Sequence, residues 1–228
     1  MTDFDVYADS YRETGQRALT LSGETQEHFA RSRIEFLKTC LQVSPGQIDS
    51  LLDFGCGVGS SVSLLRDAFG ADRVVGVDAS TESLNVARRR HSFGEFYLPD
   101  EFAMHEEIDL AFCNGVFHHI EPPARLAAVA SIARALRPGA RFALWENNPW
   151  NPGMQYSMAR CDFDRDAIAV SAPTAVRLVR AAGLRIISVR FMFIFPRMLR
   201  ALRWSEPYLA RLPLGAQYQV LSEKVPPA

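Results

Sequence analysis

An apolar run, Leu51-Leu52-Asp53-Phe54, breaks into Gly55-Cys56-Gly57-Val58-Gly59, and this alternation constrains the fold more than any other stretch of the chain. A buried strand that ends in glycines and then turns into a helix brings backbone N–H groups to the carboxyl edge of a sheet. Open α/β folds take their ligands at that edge. The run therefore predicts a ligand loop at the start of a doubly wound sheet.

The spacing narrows the ligand. A dinucleotide loop reads G-x-G-x-x-G/A, whereas the glycines here fall at 55, 57 and 59 and Ser60-Ser61 follow. Ser60 meets the third dinucleotide position loosely, so the glycines alone do not decide. Asp53 does. A carboxylate is repelled by a pyrophosphate and attracted to an ammonium group, and S-adenosylmethionine carries an ammonium and a sulfonium with no phosphate. Some twenty residues on, Arg73-Val74-Val75-Gly76-Val77 reads as a short buried strand closed by Asp78. A carboxylate there can take both ribose hydroxyls. The bland alternative makes Asp78 a turn residue ahead of a helix capped by Ser80 or Thr81.

Periodicity extends the pattern in both directions. Gly23 to Leu41 reads as a helix with Phe29, Arg33, Phe36, Leu37 and Cys40 near one face, ended by Ser44-Pro45-Gly46. Strands are predicted at 50–54, 73–77, 94–98, 108–113, 141–146, 184–191 and 217–223. Helices are predicted at 60–69, 81–91, 122–136 and 173–182. Strands alternating with helices indicate a parallel sheet. A single domain, 1–228, is expected: a helical leader or lid over 1–45, a cofactor-binding core over 46–146, and substrate-side insertions over 147–172 and 196–215.

Composition sets outer bounds. The 228 residues are 48% hydrophobic, enough for one sizeable core. A net charge of −1 gives no electrostatic case for nucleic acid. The opening Met1-Thr2-Asp3-Phe4-Asp5 carries no signal pattern and no apolar run reaches membrane-span length, so a cytoplasmic protein is expected. Cys40, Cys56, Cys113 and Cys161 form no C-x-x-C pair, which argues against a zinc site or a disulfide framework. Asp162 and Asp164 stand two apart on a loop with no matching acid-asparagine set elsewhere, so no metal is expected.

These residues resemble the class I S-adenosylmethionine-dependent methyltransferases. The acidic-x-Gly-x-Gly-x-Gly motif is matched by Asp53, Gly55, Gly57 and Gly59, and the ribose acid by Asp78 with Ala79 and Ser80. The fourth-strand motif is matched by Ile108 through Ile120, and the Leu-x-Pro-Gly turn by Leu136-Arg137-Pro138-Gly139. The resemblance implies a Rossmann-like, mostly parallel seven-stranded sheet with helices on both faces and an antiparallel last strand. It implies S-adenosylmethionine as cofactor and S-adenosylhomocysteine as its product. It implies cofactor contacts from Tyr11 (with Tyr7) in the leader, from the loop including Cys56, from Asp100 or Glu101 near the adenine, and from Asn114 near the methionine portion.

Two groups of residues suggest an acceptor site. His118 and His119 follow the fourth strand, and an imidazole there can take a proton from a hydroxyl. The plainer role for either is to satisfy a buried carbonyl or to cap Glu121-Pro122-Pro123. Trp145, Asn147, Asn148 and Trp150 leave the fifth strand and offer an apolar wall with placed polar groups, or form a proline-rich turn. Arg197, Arg200 and Arg203 read as a basic amphipathic helix. The function expected is methyl transfer to a hydroxyl or amine of a small molecule, in secondary-metabolite or sugar biosynthesis. The alternative is a non-catalytic S-adenosylmethionine-binding scaffold.

Overall fold

The computed structural model describes residues 22–41, 47–161, 164 and 166–226. Within them lie α1 (Gln26–Leu41), β1 (Ser50–Phe54), α2 (Val62–Phe69), β2 (Arg73–Val77), α3 (Thr81–Arg90), β3 (Glu95–Tyr97), β4 (Ile108–Asn114), α4 (Arg125–Ala135) and β5 (Leu136–Asn147). The remainder holds α5 (Pro152–Met158), α6 (Ala172–Ala181), β6 (Leu184–Met192), α7 (Glu206–Leu209) and β7 (Gln217–Lys224). The seven strands form one sheet in the order β3-β2-β1-β4-β5-β7-β6. The first five are mutually parallel, and β7 runs antiparallel to both β5 and β6. This is the Rossmann-like, mostly parallel sheet expected from the sequence.

Both faces of the sheet are buried, which is why β1 reads as a near-continuous apolar run rather than an alternation. Leu51, Leu110, Phe112, Ala143 and Trp145 belong to a core layer that also takes Ile34 and Leu37 of α1, Leu65 of α2 and Leu84 of α3. On the opposite face Leu52, Val75, Ala111, Phe142 and Val220 pack with Val129 and Ile132 of α4 and Val179 of α6. Helix α3 starts where Ser80 accepts a bond from the Ser83 N–H (3.1 Å), satisfying one orphan donor of its first turn.

The structure shifts several sequence-based boundaries. Ser60 and Ser61 stay in the turn, and α2 begins at Val62. The predicted 122–136 helix opens as a 3-10 turn, Pro122–Ala124, before α4 proper. The expected Leu136–Gly139 turn is drawn into β5. There the pairing jumps from Ile108 with Leu136 to Leu110 with Arg141, a bulge in which one residue of β4 opposes four of β5. The arginine-rich stretch is a 3-10 helix, Arg197–Ser205, broken at Leu199.

The connection after β5 and the one before β7 are fastened to each other at the carboxyl edge. Asn148, with no exposed surface, donates through Nδ2 to the carbonyls of Pro213 (3.0 Å) and Gly215 (2.8 Å), and its backbone N–H bonds Ala216 O (2.9 Å). Asn151 Nδ2 adds Leu214 O at 2.7 Å. Gly215 allows the close approach, since a Cβ there would stand 2.3 Å from Met192 O. Replacing Asn148 by Ala leaves buried carbonyls without donors, and chemical denaturation should show a loss of about 1–3 kcal/mol.

Candidate functional site

A cavity of 1180 Å³ opens at the carboxyl edge of the parallel strands. The glycine loop after β1, Asp78 and Ala79 after β2, and Asn114 with His118 and His119 after β4 all line it. The far wall is mostly apolar, with Phe29, Ile120, Met154, Phe193 and Phe195 contributed by α1 and the later connections.

Two glycines of the loop play different parts. Gly55, at φ +80°, would put a Cβ 2.0 Å from Val116 Cγ2, so the absence of a side chain lets the loop pack on the segment after β4. Gly57, at φ +51°, has nothing within 4 Å of its Cβ position, and its backbone faces open space. The Asp78 carboxylate braces this loop from below, accepting the Gly57 N–H at 2.7 Å and the Ser80 N–H at 2.9 Å. Cys56 packs its thiol toward Gly76, and burial together with the Asp53 and Asp78 charges pushes its pKa well up.

Asp53 is almost wholly enclosed and is not itself among the residues lining the cavity, and among the described residues its Oδ2 has no hydrogen-bond partner. Burial first, and the nearby Asp78 charge second, lift its pKa to about 7. Asn114 Oδ1 at the end of β4 is likewise buried and unpartnered among the described residues. A buried carboxylate oxygen and a buried amide oxygen left unsatisfied cost stability unless a ligand meets them. Both accept hydrogen bonds, so the complementary ligand carries donors or positive charge.

The histidine side of the cavity is organised by Glu146, a side chain with no exposed surface. Its Oε1 accepts the N–H groups of Val116 (3.0 Å) and Phe117 (2.7 Å), and its Oε2 lies 2.6 Å from His118 Nδ1. On the other side of the ring, His118 Nε2 stands 3.2 Å from Asp164 Oδ1. The same oxygen is 3.5 Å from His119 Nε2. Burial pulls the His118 pKa down, but the Glu146 and Asp164 carboxylates outweigh it and raise the value to about 10. Burial and the neighbouring His118 lower His119 to about 4, leaving that imidazole neutral.

Several expected site residues fall elsewhere. Trp145 is wholly inside the core, edge-on to Phe36 at 5.9 Å, because its position on β5 points it beneath α1. Asn148 is consumed by the Pro213–Ala216 carbonyls, and Trp150, 51% exposed, lies outside the cavity lining. Of that group only Asn147 reaches the cavity, paired with Gln217 at 3.0 Å. Ser80 is a helix cap with no exposed surface, and Asp100 is an exposed residue beyond the lining, which Pro99 supplies instead. Tyr7, Tyr11 and Asp162 lie outside the described residues. The sequence puts Glu146 among the polar groups leaving the fifth strand without a role toward the histidines, and gives Asp164 no metal to bind. Nothing in linear order ties either to His118, which stands 28 and 46 residues away.

Residues 51–139 match a family model described as "Methyltransferase domain". An uncharacterized 37.1 kDa protein in transposon TN4556 of Streptomyces fradiae is 32% identical over 166 residues, covering 67% of this chain and 47% of that protein. The protein named O-methyltransferase cnsE of Penicillium expansum is 30% identical over 161 residues, covering 65% and 56%. The chain spans about half the length of these curated relatives. Among solved structures, a candidate methyltransferase bound to the Haloferax volcanii Trm112 methyltransferase activator superposes with a TM-score of 0.67 at 20% identity, over 99% of each chain.

The two loop glycines should respond differently to one added methyl group. Gly55→Ala must displace Val116 and should lower the melting temperature sharply or prevent folding. Gly57→Ala meets only the left-handed backbone penalty of about 1–2 kcal/mol. Thermal unfolding of both variants measures the contrast.

Proposed function

We propose that this chain, a member of the class I S-adenosylmethionine-dependent methyltransferase family, binds S-adenosylmethionine beside its glycine loop and passes the methyl group to a small molecule. The observation that carries this reading is a single cavity touching both the glycine loop and the histidine pair. At 1180 Å³ it exceeds the roughly 300–1,000 Å³ of a one-ligand pocket. Two molecules, donor and acceptor, fit such a space.

The residues suit the cofactor. The unpartnered Asp53 oxygen is matched to its ammonium group, Asn114 to the same methionine portion, and the open face of Gly57 to a close backbone approach. Asp78 stands where a ribose would lie, with Ala79 beside it on the wall. When bound, the cofactor supplies a methyl group on a sulfonium, an already activated donor. The chain then has to hold the acceptor's nucleophile in line, and orientation of that kind supplies several kcal/mol of barrier lowering.

The strand ends and glycine loop of the 46–146 core face the donor in this reading, and the described parts of the 147–172 and 196–215 connections, with residues 22–33 and the histidine pair, face the acceptor. His119, neutral and on the cavity wall, is the group that takes up the proton of an acceptor hydroxyl. His118 has carboxylates at both ring nitrogens and positions its neighbour rather than acting as a free base. The relative named an O-methyltransferase supports oxygen over nitrogen as the acceptor atom.

The first expected outcome concerns the donor. Calorimetry should find binding of S-adenosylhomocysteine and none of NAD. With its pKa near 7 in the free protein, Asp53 must lose a proton to face an ammonium, so binding should release protons and tighten as pH rises through about 7. Asp53→Asn should abolish that pH dependence; a flat profile in the wild type would remove Asp53 from the ammonium site.

The second concerns the acceptor. His119→Ala should slow single-turnover methyl transfer by about 10²- to 10⁴-fold with S-adenosylhomocysteine affinity unchanged. A protein that binds S-adenosylhomocysteine yet transfers methyl to nothing in a small-metabolite extract would be a binding scaffold instead.

A further inference from the structure

We infer that His118, His119 and Asp164 form a site for a divalent first-row transition-metal ion, with Glu146 supporting it from behind. The three side chains offer His118 Nε2, His119 Nε2 and Asp164 Oδ1, and these atoms all lie within 4.8 Å of one another. All three residues line the cavity.

The separations suit an ion, although the His118–Asp164 contact at 3.2 Å also serves as a hydrogen bond in the ion-free site. One carboxylate oxygen faces two imidazole nitrogens, at 3.2 Å and 3.5 Å. Charge-assisted N–H···O bonds close to about 2.7–2.9 Å, as the Glu146–His118 contact at 2.6 Å shows within the same cluster. The two longer distances instead match the spacing of neighbouring ligands around a shared ion. With metal–ligand bonds of about 2.0–2.1 Å, adjacent donors sit roughly 3.0–3.5 Å apart.

The surroundings complete the case. A metal-bound histidine almost always donates its other ring N–H to a carboxylate, and His118 Nδ1 has the buried Glu146 carboxylate in that place. Glu146 is itself fixed by the Val116 and Phe117 N–H groups, so ring and tautomer are both held. Two imidazoles and one carboxylate suit zinc, iron, cobalt or nickel better than magnesium or calcium, which prefer oxygen donors. The sequence hid the site because Asp164 reaches the histidines only across the fold.

Three ligands leave coordination positions open toward the cavity. A metal ion in such a site lowers the pKa of a bound hydroxyl oxygen. Resting on the function proposed above, the acceptor's oxygen binds the ion and gives its proton to solvent. It then forms the O–CH₃ bond as the S–CH₃ bond breaks, leaving the donor sulfur as a neutral thioether. With the ion bound, His119 activates the acceptor as a ligand of the ion, in place of acting as the base that serves in the ion-free site.

The test uses the full chain with Co²⁺ and neither cofactor nor acceptor, so it succeeds or fails apart from methyl transfer. Titration of metal-stripped protein should produce visible cobalt absorption saturating at one equivalent. His119→Ala and Asp164→Asn, both at partly exposed side chains, should lose the band and weaken binding at least 10-fold while remaining folded. Glu146→Gln should weaken it by about 10- to 100-fold, and His105→Ala should leave it unchanged. No saturable absorption, or absorption that persists in both ligand variants, would overturn the site. Methyl transfer at full rate in stripped protein would overturn the ion's role in activating the acceptor.

Discussion

The Glu146 carboxylate is the contact on which both halves of the cavity depend. A buried carboxylate is stable only when its oxygens are met by donors, and here Val116 N–H, Phe117 N–H and His118 Nδ1 meet them. That fixes the backbone after β4, and with it the Val116 side chain against which Gly55 packs. The glycine loop and the histidine pair are therefore tied through one side chain at the end of β5, and neither can shift far without the other.

The parallel half of the fold was legible in the sequence because its signals are local. The apolar runs at 50–54, 73–77 and 108–113 are strands buried on both faces, the glycines at 55 and 57 mark a backbone conformation few other residues adopt, and Asp78 closes its strand where the loop needs a brace. The histidines were found for the same reason, standing directly after a recognisable strand. What stayed hidden depends on contacts between distant residues. Trp145 and Asn148 have the composition of a pocket wall, yet the pleat turns one beneath α1 and the carbonyls of residues 213–216 claim the other. Glu146 and Asp164 read as ordinary acids until the fold brings them to opposite sides of His118.

The cavity wall opposite the glycine loop is assembled from segments far apart in sequence. Arg203 pairs with Glu24 at 3.0 Å, Arg197 N–H bonds Ser22 O at 2.8 Å, and Phe29 meets Phe193 edge to face at 4.8 Å. Among the described residues, the segment entering α1 and the connection after β6 thus close on each other through a small mixed contact that includes an ion pair, a backbone bond, an Arg197 Nη1 bond to Gly23 O at 3.4 Å and an aromatic pair. Contacts of this size open at modest free-energy cost, which suits a wall that has to admit and release molecules.

The reversal of β7 places three strand ends at one corner, where Asn147, Gln217 and Met192 lie side by side in the ladder. The connection after β5 and the one between β6 and β7 spring from this antiparallel corner, while the glycine loop springs from β1 in the parallel half. Lengthening or rebuilding either connection would reshape that side of the cavity while the strand that carries the glycine loop stays as it is. The long connections and the glycine loop thus grow from different parts of one sheet, so a change of length in the former is absorbed at the antiparallel corner, with Glu146 as the one described side chain that reaches from β5 to the backbone beside the loop.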